Sequence, residues 1–407
     1  MRAIVSLNAG SSSIKFAVFA LEDTSSPRLI AAGKIEKIGI SPFLSIHASD
    51  GTLLRRQDWP GGETLTHAAL LEELNGWLLE HLAGNDLVAI GHRIVHGGMR
   101  HAEPRLIDEP LMAELEALCA LAPLHQPHNL AAVRAMTATH PGLPQIACFD
   151  TAFHRSMPEI VTRFALPRAL HDAGIRRYGF HGLSYEFLAR QLRALDQRLA
   201  SGRVIAAHLG NGASLCAIFN GRSVDTTMGF TALDGLMMGT RCGTLDPGVV
   251  IHLQAELGMT VKEVEELLYR KSGLLGVSGL SSDMRGLHAA GDAPASDAMD
   301  LFVWRAAREC GAMAASLGGV DGIVFSAGIG ENDAQIRRRI CERLHWLGIQ
   351  LDGQANERNE PVISNQDSSV RVLVIPTDEE LMIALHTAAL IDRSGPVDAH
   401  RRGGRCI

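Results

Sequence analysis

The stretch Val204-Ile205-Ala206-Ala207-His208-Leu209-Gly210-Asn211-Gly212-Ala213-Ser214-Leu215-Cys216-Ala217-Ile218-Phe219 reads as strand, glycine turn and strand. Residues 204–209 form an apolar run, residues 210–214 supply the turn, and residues 215–219 return before an Asn220-Gly221 hairpin signal. The N-terminus carries the same design. Residues 4–7 are apolar, Asn8-Ala9-Gly10-Ser11-Ser12 is turn chemistry, and Ile14, Phe16 and Val18 alternate with Lys15, Ala17 and Phe19. Setting Leu7 against Leu209 also pairs Gly10 with Gly212 and Ser12 with Ser214, about half the chain apart. The repeat predicts a duplicated, two-domain architecture.

Around these hairpins apolar residues recur at helical spacing. Leu70, Leu71, Leu74, Trp77 and Leu78 share one face, and similar stripes run through residues 111–121, 185–195, 261–268, 299–317, 336–347 and 381–391. Short runs of strand type lie at 88–90, 145–149, 322–325 and 371–375. Strands alternating with helices predict an α/β fold with mixed sheets. Residues 393–407 have no apolar period and read as a loose tail.

A chain of 407 residues suggests two to three domains, and 46% apolar residues are enough for their cores. Its net charge of −7 excludes a polybasic nucleic-acid binder and gives no global attraction for an anionic membrane. The seven cysteines contain no Cys-x-x-Cys pair and read as buried thiols in a reducing compartment. No run approaches about 18 uninterrupted apolar residues, and the first residues lack a signal-peptide pattern. The expected address is the cytoplasm, with no membrane and no nucleic acid as partner.

Neither a P-loop nor a dinucleotide-binding fingerprint occurs. In their place stand three small-residue turns at strand ends: residues 8–13, residues 208–214, and Gly328-Ile329-Gly330-Glu331-Asn332 ahead of a helix expected from Asp333. Such turns let consecutive backbone N–H groups approach a phosphate, and a following helix N-terminus favours an anion. Lys15, just past the first turn, is either a point charge for terminal phosphates or a solvated strand lysine. Arg93 in Gly91-His92-Arg93-Ile94-Val95-His96-Gly97-Gly98 and Arg241 in Gly239-Thr240-Arg241-Cys242-Gly243 are glycine-flanked. They suit a bidentate clamp on carboxylate or phosphate, or are surface arginines on turns.

Asp150 ends a strand at the carboxyl edge, where α/β proteins place ligands. Metal binding, substrate orientation and helix capping all remain open for it. His181, in Tyr178-Gly179-Phe180-His181-Gly182, is either a ligand group or a satisfied core histidine. Glu379 and Glu380 open the final helix, where they offer a carboxylate to Mg²⁺ or complement the helix dipole. His125 and His128 stand beside two prolines without further ligand spacing, so no structural zinc site is expected there.

Taken together, these motifs resemble the acetate kinase family, within the wider superfamily of acetate and sugar kinases, actin and heat-shock chaperones. The carriers are residues 8–15, 91–98, Phe149-Asp150-Thr151-Ala152-Phe153-His154, 178–182, 208–214, Gly239-Thr240-Arg241 and 328–332. They run collinearly to Pro376-Thr377-Asp378-Glu379-Glu380 and span nearly the whole chain except the tail. The resemblance implies two duplicated domains of ribonuclease H-like (actin-like ATPase) type with an active-site cleft between them. Residues 1–151 plus 381–407 would form the N-terminal domain with a returning C-terminal helix, and 152–380 the nucleotide-binding domain. It also implies a homodimer, and reversible transfer of the ATP γ-phosphoryl group to acetate with Mg²⁺, or Mn²⁺ in its stead.

By the same resemblance, Asn8 and Glu379 hold the metal. Lys15, His208-Leu209-Gly210-Asn211-Gly212, Asp283-Met284-Arg285 and Gly328-Ile329-Gly330-Glu331-Asn332 contact ATP. Arg93 binds the acyl substrate in a pocket with Val95, Leu124, Phe180 and Ala232; Asp150 is the catalytic carboxylate; His181 and Arg241 stabilise the transferring phosphoryl group. An acetate carboxylate, with a pKa of about 4–5, is already ionised at neutral pH, so Asp150 is expected to position Mg²⁺ or an arginine rather than move a proton.

Two residues depart from the family pattern. Asp378 stands where the family often has asparagine, adding a negative charge beside Glu379. Ala232 replaces a proline of well-known members and enlarges the acyl pocket. One methylene is discriminated by only about 1–3 kcal/mol, which keeps propionate as the alternative substrate. A non-catalytic actin-like nucleotide-binding module is the rival from another class. It would have no use for two loop arginines and an apolar pocket.

Overall fold

The computed structural model describes residues 1–10, 12–22, 26–82 and 86–394. Ser11 of the first turn and the tail beyond Ser394, with Cys406, lie outside the described residues. The final helix, Glu379–Ser394, runs into the stretch read as tail.

Apolar side chains fill both faces of β1 (Arg2–Ala9) and β2 (Ile14–Ala20), so the two strands pair antiparallel in the middle of a sheet, from Ala3↔Ala20 to Ala9↔Ile14. Beyond β2 the sheet continues through β3 (Arg28–Glu36), β4 (Phe43–Ala48) and β5 (Leu53–Asp58). On the other side β1 runs parallel to β6 (Asp86–Ile94), with β7 (Arg105–Leu106) and β8 (Gln145–Phe149) beyond, in the order β5-β4-β3-β2-β1-β6-β8-β7. Val5, Leu7, Phe16 and Val18 meet Leu70, Leu74 and Trp77 of the helix His67–His81 in one buried cluster. Burying each such side chain contributes roughly 1.5–3 kcal/mol. The final helix packs on β1 and β6.

The second sheet holds β9 (Arg203–Leu209), β10 (Ala213–Phe219), β11 (Arg222–Thr226), β12 (Gly322–Ser326) and β13 (Arg371–Val374), in the order β11-β10-β9-β12-β13. β9, β10 and β11 form an antiparallel meander, and β12 and β13 follow in parallel. The helix Ala293–Leu317 packs on β9 and β10. The same plan is present as β3-β2-β1-β6-β8 in the first sheet. The fold is the ribonuclease H-like sheet of actin-like ATPases, present twice. Contacts divide the chain into one unit of Met1–Phe149 with Glu379–Ile407 and another of Asp150–Asp378.

The structure corrects the register of the repeat. Ala9 and Leu209 both close their first strand, and Gly10 and Gly210 both donate an N–H across the loop, to Ser13 O at 2.8 Å and to Gly212 O at 3.1 Å. Gly10 therefore corresponds to Gly210, not to Gly212. The second loop is one residue shorter, so matching by identity slid the two copies past each other.

Candidate active site

In the first unit, Asn8 lies near the end of β1 and pairs across the ladder with Lys15 of β2, the exposed residue of an otherwise buried strand. Arg93 on the neighbouring β6 donates from Nη1 to Asn8 Oδ1 at 3.1 Å, and its Nε lies 4.0 Å from Glu379 Oε2. Asn8 Nδ2 donates to the same carboxylate oxygen at 3.2 Å. Glu379 occupies the first turn of a 16-residue helix, where the dipole favours a carboxylate. The amide and carboxylate oxygens of Asn8 and Glu379 are hard donors. Two such donors suit Mg²⁺, which keeps waters and takes phosphate oxygens for the rest of its shell.

The strand end carrying Arg93 is tied by two buried amides that the sequence reading missed. Asn129 Oδ1 accepts from Val95 N at 3.0 Å while its Nδ2 donates to Ala9 O at 2.6 Å. Gln126 Oε1 accepts from His96 N at 3.0 Å, and Gln126 Nε2 donates back to His96 O at 3.1 Å. Val95 is buried and Leu124 partly buried in this unit; Phe180 and Ala232 belong to the other.

In the second unit, Asp150 follows β8 and is fully buried. The N-cap position of the following 3-10 turn, Ala152–Ser156, is Thr151, and no side chain makes a capping hydrogen bond there. The Asp150 carbonyl accepts from Gly182 N at 2.9 Å. His181 adopts a left-handed conformation, φ 59°, to cap the helix Gly182–Leu195. That strained corner is held by His154, whose Nε2–H donates to Phe180 O at 2.9 Å. Burial pushes the His154 pKa down to about 4, so the ring stays neutral and its Nδ1 accepts from Ser223 Oγ, also at 2.9 Å. A β-carbon at Gly182 would stand 2.0 Å from the Asp150 carbonyl oxygen. Gly182→Ala is therefore expected to destabilise the protein by about 1–3 kcal/mol in urea denaturation. Unchanged stability would contradict this backbone contact.

The phosphate-type residues of this unit do gather. A β-carbon at Gly212 would lie 2.7 Å from Arg241 Nη2 and 3.2 Å from His181 Nε2. Arg241 Nη1 donates to Ala232 O at 2.6 Å, and the His181 ring stacks on His208 with centroids 4.2 Å apart. Gly210 sits against Ala327 and Gly328, while Gly239 lies between Asn211 and the Ser282 carbonyl. The three expected nucleotide segments thus converge. Asp283 caps the helix Met284–Ala290, with Met284 buried and Arg285 exposed and paired to Asp283.

His208 and Leu209 belong to β9, as the apolar run 204–209 implies, and the turn is Gly210–Gly212, narrower than residues 208–214. Gly328-Ile329-Gly330-Glu331-Asn332 is not an open turn but part of a short helix, Ala327–Asn332. Ala327, at φ 64°, turns the chain, and Glu331 Oε1 folds back to accept from Ala327 N at 2.7 Å. The fully buried Arg337 closes the other end, donating to the Gly330 and Glu331 carbonyls at 2.9 Å each.

A chain that doubles this sheet and lines one copy with converging phosphate-type segments has the architecture of the actin-like ATPase class. Its residues 3–385 match the model of the Acetokinase family, and the chain belongs to that family. It is 53% identical over 390 residues to an acetate kinase of Rhodopseudomonas palustris, covering 95% of this chain and 98% of that one. Among solved structures it is similar to a propionate kinase from Francisella tularensis (37% identity, TM-score 0.87, 95% and 99% of the two chains). It is also similar to the acetate kinase of Porphyromonas gingivalis (38% identity, TM-score 0.83, 96% and 100%). Among the described residues no helix is long and apolar enough to cross a membrane.

Proposed function

We propose that the protein transfers the γ-phosphoryl group of ATP to acetate, reversibly and in line, giving acetyl phosphate and ADP. The observation that carries this reading is the convergence of Arg241, His181 and the Gly210–Gly212 turn in a member of the acetokinase family. The acceptor carboxylate is already anionic, so the enzyme's task is to hold two anions together and offset charge on the phosphoryl oxygens. Arg93 binds the acetate carboxylate; Arg241 and His181 donate to the phosphoryl oxygens; the second unit is the nucleotide-binding domain, its three converging segments holding ATP. Asn8 and Glu379 would hold Mg²⁺ or Mn²⁺, which supplies positive charge to the phosphate oxygens when bound. Asp150 positions the metal or an arginine rather than moving a proton.

The helix Pro247–Ala255 buries none of its residues, and Val249, Ile251, Leu257 and Val261 nearby are exposed. An apolar surface of this kind supports a homodimer, with a second copy as its cover. The six described cysteines are all free thiols, which supports a reducing cytoplasmic setting.

The test is Mg-ATP with formate, acetate, propionate and butyrate in turn, trapping acyl phosphate as its hydroxamate. Acetate is expected to give the highest kcat/KM. Propionate, the less favoured reading, is expected to follow within about 10–200-fold because Ala232 leaves room for one more methylene. Folded protein that makes no acyl phosphate from any of the acids would overturn the assignment.

A further inference from the structure

Two stacked histidines of the second unit each meet a pair of linked hydroxyls at Nδ1. Thr377 Oγ1 donates to Ser184 Oγ at 2.8 Å, and Ser184 Oγ lies 2.9 Å from His208 Nδ1. A serine hydroxyl has one hydrogen to give. With the Thr377 hydrogen on one lone pair of Ser184, the Ser184 hydrogen can go to His208 Nδ1, an arrangement that puts the ring proton of His208 on Nε2. Tyr185, the next residue of the same helical turn, bonds Ser214 Oγ, and Ser214 Oγ lies 2.9 Å from His181 Nδ1. Tyr185 also takes a backbone hydrogen bond from His208; with its phenolic hydrogen given to Ser214, the Ser214 hydrogen can go to His181 Nδ1. Ser184, Tyr185 and Ser214 are fully buried, so no water competes for these hydrogens. His181 Nε2 faces Gly212 and the Arg241 guanidinium.

We infer that Ser184 and Ser214 are positioning residues that fix His208 and His181 as Nε2–H tautomers, so that each ring offers an N–H donor to anionic phosphoryl oxygens. The opposite tautomer would present a lone pair to a phosphate oxygen and repel it. The relay also reaches the nucleotide segment, because Glu331 Oε1, which folds the helix Ala327–Asn332, accepts from Thr377 N at 3.0 Å. The inference rests on the proposed reading of His181 as a donor to the phosphoryl group and of His208 as part of the segment that contacts ATP.

Long-range ¹H–¹⁵N correlation spectra of histidine-labelled protein give the test. His154 is the internal reference, since its Nε2 faces a carbonyl that can only accept. Wild type is expected to show His181 and His208 with the His154 pattern. Ser184→Ala should disturb the His208 pattern alone and raise KM for ATP about tenfold with a smaller change in kcat, and Ser214→Ala should disturb His181 and lower kcat about tenfold. Ser184→Thr, which keeps the hydroxyl, should restore both readouts. An Nδ1–H tautomer or an imidazolium at neutral pH on either ring of the wild type would overturn the inference, as would an unchanged His208 pattern in Ser184→Ala. Disturbed tautomers with unchanged KM and kcat would instead sink the phosphoryl-ligand reading on which the positioning role depends.

Discussion

Arg241→Ala is expected to lower kcat by about 10³-fold, the effect of an arginine that meets the transferring phosphoryl group. The guanidinium is placed for that task by its own hydrogen bond. Nη1 is held by the Ala232 carbonyl at 2.6 Å, which turns Nη2 toward Gly212 and His181 Nε2. Losing the bond to the Ala232 carbonyl, at a half-buried site, costs stability about 1 kcal/mol, far less than the expected loss of activity. Activity and fold are thereby separable. Arg241→Lys keeps a charge but not the planar fork, and it should recover little of the loss. Steady-state kinetics beside urea denaturation checks both halves. A decrease in kcat of less than tenfold would remove Arg241 from the phosphoryl group.

The duplicated hairpin was legible because β1, β2, β9 and β10 bury both faces and so read as short continuous apolar runs. Helices with one apolar stripe were legible for a similar reason. Several of the misses have the opposite property. β5 is an edge strand whose leucines, Leu53 and Leu54, are exposed, so it shows no inside-outside alternation. The helix Pro247–Ala255 buries none of its residues, and the helix Gln126–Thr139 turns Gln126 and Asn129 inward; neither yields a clean period. A buried amide that ties two loops has no sequence signal until the loops are known.

The site divides in the same way. Arginines and histidines flanked by glycines stand out in a sequence, because close backbone approach needs those glycines. The residues that orient them do not: Ser184, Ser214, Tyr185 and Thr377 are common residues at unremarkable spacings, joined only once β9, β10 and the helix Gly182–Leu195 lie together. Gly328-Ile329-Gly330-Glu331-Asn332 reads as a turn by composition. In the folded chain it is helical, with Glu331 and Arg337 satisfying the Ala327 N–H and the Gly330 and Glu331 carbonyls that so short a helix leaves without partners of its own.

Three buried imidazoles set an acid limit on the fold. His92, His96 and His154 are each pushed by burial from 6.5 down to about 4. The unfolded chain binds these protons near pH 6.5 and the folded chain only near 4, so between those values unfolding takes up protons and stability rises with pH. The stabilisation is fully present above 6.5 and is lost as pH falls through 4. At pH 5 each ring costs about 2 kcal/mol, and the three together about 6 kcal/mol. A folded domain has only about 5–15 kcal/mol in hand. Carboxylates contribute below this window, since ion pairs such as Arg203 with Asp321 hold their pKa values below the usual range. Urea midpoints are therefore expected to fall steeply between pH 6.5 and 5. His92→Gln keeps an N–H donor for the Gln145 carbonyl oxygen, which the ring now serves at 2.7 Å, but carries no titrating group. It should lose about one third of that pH slope. A wild type whose stability is flat from pH 7 to 5, or a His92→Gln variant with the full slope, would show that these rings take up their protons without unfolding the chain.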